Sequence, residues 1–311
     1  MNEIQIFSPA TVANISCGFD VLGCCLEGIG DVMTVRKTSE KGIKITRIIG
    51  EDLPLETDKN VAGVAGLALL EKLGVKPDFG FEIEIDKRIK PGSGIGSSAA
   101  SAAGSVYAIN ALLDYPFDNY ELIDFAREGE KLACGSPISD NVAPALLGGF
   151  TLVKSANPLK VLKLPTLKDL YVIILHPQIE IKTSDARDIL PKNFPLTEAV
   201  KQWANVGSLV HALHTDDYQL FADSLHDYIV EPFRSKLIPG FHEVQQTALE
   251  HGALGSGISG SGPSIFAFCH GIEPANRVKN AIDQVYRSKK IPYQLYLSEI
   301  NTSGIKVLNT I

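Results

Sequence analysis

Alternating apolar and polar positions predict strands in the first ninety residues, and apolar positions at helical spacing predict helices. Residues 81–85 alternate apolar side chains with glutamates, which is the pattern of a half-buried strand. In this part of the chain we predict strands at residues 4–7, 31–35, 43–46 and 81–85. Helices are predicted at residues 60–73, 97–113, 119–133 and 140–147. Asn60 suits the N-cap of the first helix, and Gly74 suits its end.

The second half of the chain mixes strands and helices without regular alternation. Residues 170–175 are apolar enough to predict a central strand. Further strands are predicted at residues 151–153, 264–269 and 293–298. Helices are predicted at residues 198–214, 217–229, 241–251 and 274–286. Because no strict β-α-β order is present, we predict the α+β class, with two domains at residues 1–155 and 156–311.

Residues 90–101 are rich in glycine and serine and lie between a predicted strand and a predicted helix. Glycines let the backbone bend sharply and turn several N–H groups toward one anion. The N-terminus of the following helix adds unpaired N–H groups and a positive dipole end. The segment therefore predicts a phosphate-binding loop. The alternative is a tight turn that caps a buried helix.

This loop differs from the two common glycine-rich signatures. A P-loop needs a lysine after its last glycine, and none follows Gly96. A dinucleotide fingerprint has the spacing Gly-x-Gly-x-x-Gly, whereas Gly92, Gly94 and Gly96 are each two residues apart. The hydroxyls of Ser97 and Ser98 remain available to cap the helix or to face a metal ion.

Charge and composition exclude some partners. The 311 residues carry a net charge of −7, which argues against nucleic acid as the main partner because phosphate neutralisation needs a basic face. No apolar run has the length of a membrane span, and the first residues lack the features of a signal peptide. The five cysteines are scattered and suit a reducing compartment. We expect a cytoplasmic protein without a nucleic-acid or membrane partner.

Three further segments carry candidate chemistry. In residues 9–23, Asn14 and Asp20 offer an amide and a carboxylate to a polar substrate, or they serve as ordinary turn residues. Residues 136–145 place Asp140 and Asn141 at a turn before a helix, where Asp140 could also act as an N-cap. Residues 255–264 form a second glycine- and serine-rich segment, interpreted as a loop before a strand.

Glu130 lies within a predicted helix. Its carboxylate and the Ser98 hydroxyl are both hard oxygen ligands. Mg²⁺ favours such ligands and completes its shell with water and substrate phosphates. The alternative for Glu130 is a solvated helix glutamate that pairs with a lysine. The sequence therefore leaves the magnesium site as one of two interpretations.

Residues 9–23, 91–101 and 255–264 together resemble the three motifs of the GHMP kinase superfamily, in the same order and across the whole chain. Residues 9–20 and 140–145 resemble the homoserine kinase family within it. The resemblance implies a two-domain α+β fold, with an N-terminal ribosomal-protein-S5-like domain and a C-terminal ferredoxin-like domain. It also implies ATP and Mg²⁺ as cofactors and transfer of phosphate to the hydroxyl of L-homoserine, in threonine biosynthesis.

The resemblance assigns expected roles to residues. ATP would be bound by Pro91, Gly92, Ser93, Gly94, Ile95, Gly96, Ser97, Ser98, Ala99, Ala100 and Ser101. Ser98 and Glu130 would hold Mg²⁺. Homoserine would be bound by Asn14, Asp20, Ser136, Asn141, Thr183, Arg187, Arg234 and Gly260. The expected catalytic residues are Arg187, Asn141, Asp140 and Glu130.

The chain also departs from the family pattern. Ile138 stands where homoserine kinases commonly carry histidine, and Ser16 and Cys17 replace small residues in the first motif. Another small alcohol therefore remains an alternative substrate, as does a ligand sensor or a decarboxylase on the same fold. A homodimer is the assembly we consider, and whether the site contains a dedicated base stays open.

Overall fold

The computed structural model describes residues 1–181 and 183–311, without the side chains of Cys134, Thr183 and Ser184, and within these ranges it contains eleven strands and ten α-helices. The strands are β1 (Glu3–Ala13), β2 (Leu22–Thr38), β3 (Gly42–Ile49), β4 (Gly80–Asp86), β5 (Phe150–Ala156), β6 (Leu159–Leu164), β7 (Leu170–Pro177), β8 (Gly255–Ile258), β9 (Ile265–His270), β10 (Tyr293–Glu299) and β11 (Lys306–Thr310). The helices are α1 (Val61–Lys72), α2 (Ser97–Leu112), α3 (Asn119–Cys134), α4 (Val142–Leu147), α5 (Thr183–Asp188), α6 (Leu196–Thr215), α7 (Tyr218–Ser224), α8 (Glu231–Arg234), α9 (Phe241–Glu250) and α10 (Ile272–Ser288).

The strands form two separate sheets. The larger sheet has seven strands in the order β11-β1-β2-β4-β3, and β5 joins it by pairing with β2 and β6. The smaller sheet has four strands in the order β10-β7-β9-β8. Only the β3–β4 pair is parallel among the strands described, so the α+β class predicted from the sequence is confirmed.

Helices α1 to α4 pack against the larger sheet and share one apolar core with β1 to β4. Small side chains let α2 approach the sheet closely: Ala99, Ala102 and Ala103 are fully buried in this core. A Cβ at Gly104 would lie 3.3 Å from Ile6 of β1, which is already tight contact. The glycine-rich loop is therefore followed by a helix that is fixed firmly on the sheet.

The smaller sheet is buried on both faces. Val172 and Ile174 of β7 belong to one apolar cluster, which also includes parts of β1, α6 and α7. Ile173 and Leu175 belong to a second cluster, which includes α9 and α10. A sheet covered on both sides needs a continuous apolar run, which explains why residues 170–175 predicted a central strand correctly.

The C-terminal strand β11 returns to the larger sheet and pairs with β1. The predicted domain boundary between residues 155 and 156 falls inside β5, whose partners β2 and β6 lie in the larger sheet. The division into domains 1–155 and 156–311 stays a prediction.

Three local predictions are wrong. The segment 255–258 is strand β8, which pairs with β9, rather than loop. Glycine is required there because Cβ atoms at Gly255 and Gly257 would overlap Leu225 and Ser16. The helix predicted at 217–229 ends at Ser224. The Asp227 carboxylate then accepts the backbone N–H groups of the three residues 229–231 and turns the chain.

The third wrong prediction concerns only the start of the helix predicted at 140–147, whose remaining residues the structure confirms as helical. It begins at Val142 as α4, and Asn141 is its N-cap residue without a side-chain capping bond. Asp140 is therefore not an N-cap. Its carboxyl group is buried instead.

Candidate active site

A cavity of about 610 Å³ lies where residues 9–23, 91–101 and 255–264 meet. Most of the side chains and glycines predicted to act together line it. These are Asn14, Asp20, Pro91, Gly92, Ser93, Gly94, Gly96, Ser97, Ser98, Ser101, Glu130, Asp140, Asn141, Arg187, Arg234 and Gly260. Both halves of the chain therefore contribute to the same cavity.

The glycine-rich loop has a conformation that only glycine adopts easily. Gly92, Gly94 and Gly96 have φ angles of +70°, +81° and +72°. A Cβ at Gly94 would lie 2.7 Å from the Ser259 carbonyl oxygen, and one at Gly96 would lie 2.1 Å from the Thr11 hydroxyl. The glycines thus allow the loop to pack against the two other motifs.

The third motif fixes the loop by hydrogen bonds. The Ser259 hydroxyl donates to the Gly94 carbonyl oxygen at 2.7 Å, and the Ser264 hydroxyl donates to the Ser93 carbonyl oxygen at 2.6 Å. From the first motif, the Thr11 N–H donates to the Ile95 carbonyl oxygen at 3.1 Å. Because its carbonyl oxygens are used in this way, the loop is held with its cavity-facing backbone in a defined position.

The first turn of α2 opens onto the cavity. Its N-cap is Gly96, which has no side chain to accept the free N–H groups, and the helix is 16 residues long. The Ser97 hydroxyl donates instead to the Ile89 carbonyl oxygen at 2.8 Å, so Ser97 is not the cap that the sequence suggested. Unpaired N–H groups and the helix dipole favour an anion at this end.

Three residues of the predicted loop set do not line the cavity. The side chains of Ile95, Ala99 and Ala100 are buried in the apolar core. They keep the loop and α2 packed against the sheets. Of the predicted substrate residues, Ser136 is half-buried and lies outside the cavity lining, and the side chain of Thr183 is outside the described part of the chain.

The acidic side of the cavity is formed by Glu130 of α3 and by Asp140, which are only 4% and 3% exposed. Burial, together with the carboxylates of Asp20 and Glu130, raises the pKa of Asp140 to about 8. The Asn141 amide donates to Asp140 at 3.3 Å, and the Thr11 hydroxyl donates to Asn141 Oδ1 at 2.7 Å. Asp140 is therefore largely protonated at neutral pH.

Two arginines face the acidic residues. Nη2 of Arg187, on α5, donates to Asp20 Oδ1 and Oδ2 at 3.0 and 2.9 Å. Arg234 is fixed by bonds of 2.9 Å from Nε to the Ala186 carbonyl oxygen and from Nη1 to the Gly260 carbonyl oxygen. Burial lowers the pKa of Arg234 to about 10, against the attraction of Asp20. Arg234 is thus a buried cation that lines the cavity.

A turn of the first motif holds these charges in place. Asn14 Nδ2 donates to the Gly260 carbonyl oxygen at 2.8 Å, and its Oδ1 accepts the Asp20 N–H at 3.0 Å. The Phe19 ring lies 5.6 Å from the Arg187 guanidinium and 5.0 Å from that of Arg234. The turn therefore presents one carboxylate and positions two arginines around it.

Some cavity residues were not predicted to belong to a site. Asn60 was predicted only as an N-cap, which it is, since its Oδ1 accepts the Ala62 N–H at 3.0 Å. Lys87 follows β4, and its side chain is buried. The remaining unpredicted lining residues are Leu53, Pro54, Lys59, Val61, Ile85, Ala133, Gly135, Ile138, Glu180, Ile181 and Ser261.

The donor set suits a magnesium ion bound with phosphates. Ser98 and Glu130 offer a hydroxyl and a carboxylate to the same cavity. Among the described residues no three His, Cys, Asp or Glu side chains converge on a protein-only metal site. An ion held here would take its other ligands from phosphate and water.

Comparison with known proteins identifies the family. The family model for the N terminal domain of GHMP kinases matches residues 60–149, and the model for the GHMP kinase C terminal matches residues 209–288. The homoserine kinase of Chloroherpeton thalassium is 42% identical over 99% of this chain and 100% of its own. That of Methanococcus vannielii is 39% identical over 92% of this chain and 94% of its own.

Solved structures agree with the sequence comparisons. The crystal structure of homoserine kinase from Cytophaga hutchinsonii superposes with a TM-score of 0.95 at 49% identity, covering 99% of this chain and 98% of that one. The mevalonate kinase of L. major shares the fold, with a TM-score of 0.72 at 16% identity, covering 95% of this chain and 96% of that one.

Fold and site define an ATP-dependent kinase of the GHMP class, with its N- and C-terminal domains in the expected order. The chain belongs to the homoserine kinase family within that class. The resemblance stated from the three motifs is confirmed. Within the described residues, no helix combines the length and the apolar character needed to cross a membrane.

Proposed function

We propose that this protein transfers the γ-phosphoryl group of ATP to the side-chain hydroxyl of L-homoserine, giving ADP and O-phospho-L-homoserine, a step toward threonine. The observation that carries the proposal is that one cavity contains both the glycine-rich loop and the Asp20–Arg187 pair. The first feature suits a polyphosphate and the second suits an amino acid. Phosphoryl transfer depends mainly on alignment and charge neutralisation, which such a cavity provides.

In this proposal the nucleotide phosphates lie along residues 91–101. The backbone N–H groups of the loop and the uncapped first turn of α2 bind them, and the glycines allow the close approach. Ser98 and Glu130 hold Mg²⁺, which neutralises charge on the phosphates when it is bound. The buried position of Glu130 supports this role over that of a solvated helix glutamate.

The amino-acid part of homoserine has one ammonium and one carboxylate group. We assign the ammonium to Asp20 and the carboxylate to Arg187 and Arg234. These residues already satisfy each other's charge, with Arg187 bonded to both Asp20 oxygens. A zwitterion can replace that contact, because its ammonium group binds the carboxylate and its carboxylate group binds the guanidinium groups. The hydrogen bond between Asn14 and Gly260 supports the site.

We assign the acceptor hydroxyl to Asp140 and Asn141, which orient it toward the phosphate. A largely protonated Asp140 does not add a negative charge beside the incoming phosphoryl group. Arg187 lines the same cavity, and we assign to its guanidinium the stabilisation of charge on the oxygens of the transferred group. Ser136 and Thr183 remain candidate substrate contacts.

Other expectations from the sequence are carried into the proposal. We propose that the chain acts in the cytoplasm, that it has domains at residues 1–155 and 156–311, and that a homodimer is the assembly to test first. Sedimentation of the purified protein tests the last point, since a single species at monomer mass would exclude the dimer.

The substrate is tested by coupled ADP release with homoserine, mevalonate, galactose and shikimate, each with Mg-ATP. We expect ADP release with L-homoserine only. Release with another alcohol alone would replace the substrate, and ATP binding without transfer to any of them would favour a ligand sensor. Either result would refute the proposed reaction.

The metal role of Glu130 is tested by Glu130→Gln, with Glu128→Gln as the matched control on the same helix. Glu128 is paired with Lys131 at 3.8 Å and does not line the cavity. We expect Glu130→Gln to lower kcat and to raise the Mg²⁺ concentration needed for half-maximal rate, by about tenfold or more if one ligand is lost. Equal behaviour of the two variants would remove Glu130 as a ligand.

A further inference from the structure

A buried ion pair lies under the glycine-rich loop and has no part in the roles assigned so far. It joins Lys87, just after β4, to Asp31 of β2, and their side chains are 1% and 0% exposed. Lys87 also lines the cavity. Charges are rarely buried this deeply unless they are paired and hydrogen-bonded, so the other bonds of the pair show what it fixes.

Asp31 fixes the chain that enters the loop. Its Oδ2 accepts a hydrogen bond from Lys87 Nζ, and its Oδ1 accepts the backbone N–H groups of Arg88 and Ile89 at 2.8 and 2.9 Å. One carboxylate of the larger sheet therefore holds the last residues before the loop begins at Lys90.

Lys87 fixes the chain that leaves the loop. Its Nζ donates to the Ser97 carbonyl oxygen at 2.6 Å and to the Ser101 hydroxyl at 3.0 Å, both in the first turns of α2. Together with the bond to Asp31, these use all three N–H donors of the ammonium group. The lysine therefore has no donor left for a phosphate in this arrangement.

The two ends of the loop are thus tied to each other at one point. A direct bond from the Ser97 hydroxyl to the Ile89 carbonyl oxygen closes the same base. The glycines between these ends have freedom that other residues lack, and an untied loop would have to be ordered when a nucleotide binds. A loop held in its bound form avoids that cost.

We infer that Asp31 and Lys87 are positioning residues, which hold the two ends of the loop 90–96 in the conformation that binds the phosphates of ATP. They act through the loop backbone and the first turn of α2, and not by contact with the nucleotide. The inference rests on the proposed function only in that the loop is taken to bind ATP.

The test compares Asp31→Asn, Lys87→Met and the double variant for ATP affinity by calorimetry, for KM of ATP and homoserine, and for thermal stability. We expect each single variant to weaken ATP binding about tenfold or more, the effect of losing a charge-assisted hydrogen bond. KM for homoserine stays within about twofold, because the arginines are fixed by other elements. The double variant leaves no unpaired buried charge, so it regains thermal stability but keeps the weak ATP binding.

Arg36→Met is the matched control. Arg36 lies on β2 like Asp31 and is paired with Glu3 and Glu84 on the larger sheet, away from the cavity. We expect at most a small loss of stability there, because these side chains are about a third exposed and water screens the pairs, and no change in ATP affinity. If all loop variants follow this pattern, or if the double variant regains ATP affinity together with stability, the pair is merely structural and the inference is overturned.

Asp31→Asn also separates positioning from direct contact. A lysine that binds phosphate would be freed by this change, and ATP would bind as well or better, which would overturn the inference. If the single variants fail to fold, the double variant decides, because it leaves no unpaired buried charge: unchanged ATP affinity there would overturn the inference. ATP binding by calorimetry is read without homoserine, so a failure of the proposed reaction is seen separately.

Discussion

Opposite charges meet on the side of the cavity that the first motif and the two arginines form. Asp20 is bonded to Arg187, and both side chains keep about a third of their surface exposed. A pair this accessible contributes little to stability, because water screens it. Its position against Phe19 and Arg234 is better explained by recognition of a zwitterion than by folding.

At this scale we predict that Asp20→Asn raises KM for homoserine by about tenfold or more, since the ammonium loses its charged partner. KM for ATP should stay within about twofold, because the loop is held by other contacts. Steady-state kinetics with each substrate varied checks this. Asp188→Asn is the control, an exposed carboxyl beside Arg187 that does not line the cavity; equal KM values for both variants would contradict the assignment.

The raised pKa of Asp140 predicts that the stability of the protein depends on pH. This pKa is raised from 3.8 to about 8, so the folded protein binds a proton there that the unfolded chain releases near pH 4. The contribution of this group is therefore present below about pH 4 and is lost as the pH rises toward 8. Thermal melts of Asp140→Asn and the unchanged protein should diverge in favour of the variant between pH 5 and 8. A difference in Tm that is constant over this range would contradict the shift.

At the scale of the elements, we expect the clearest effect of a single added methyl group from a glycine-to-alanine substitution in the glycine-rich loop. Gly96→Ala places a Cβ 2.1 Å from the Thr11 hydroxyl at a φ of +72°. Gly28, on β2, has the same φ with open space around its Cβ position. We expect Gly28→Ala to cost about 1–2 kcal/mol of stability for the left-handed backbone, with KM for ATP unchanged. Gly96→Ala should cost more and also raise KM for ATP; if the two variants match in both measurements, the packing of the loop against Thr11 does not matter.

The elements that the sequence predicted are those with a local cause. Helix α3 begins with a capping box of Asp118 and Glu121, and β7 is a continuous apolar run. Strand β8 was missed because its glycines are required by the neighbours Leu225 and Ser16, which no local pattern shows. The C-terminal end of β1 and the N-terminal end of β2 were missed for a similar reason. Successive residues there are all buried, so apolar and polar positions do not alternate.

The same distinction applies to the site. The loop and the turn with Asn14 and Asp20 were found because glycines and polar residues cluster along the chain. Lys87 was not found, because its partners Asp31 and Ser101 are 56 and 14 residues away. The burial that raises the pKa of Asp140 is likewise a result of the fold and cannot be seen in a turn sequence.

At the scale of the whole molecule, the cavity exists only because the two halves of the chain meet. Gly94 of the loop touches Ser259, Asn14 touches Gly260, and Asp20 is bonded to Arg187, which lies 167 residues further along. The C-terminal strand β11 closes the larger sheet beside β1. The proposed nucleotide site and the proposed amino-acid site therefore form one continuous surface that lines the cavity.

The central claim is that this surface transfers phosphate from ATP to homoserine. Phosphorus NMR of a reaction with L-homoserine and Mg-ATP tests it most directly, because it observes both products at once. We predict one phosphate monoester, O-phospho-L-homoserine, for each ADP formed, and no monoester when homoserine is omitted. ADP that appears with free phosphate instead of the monoester, or no ADP at all, would contradict the claim.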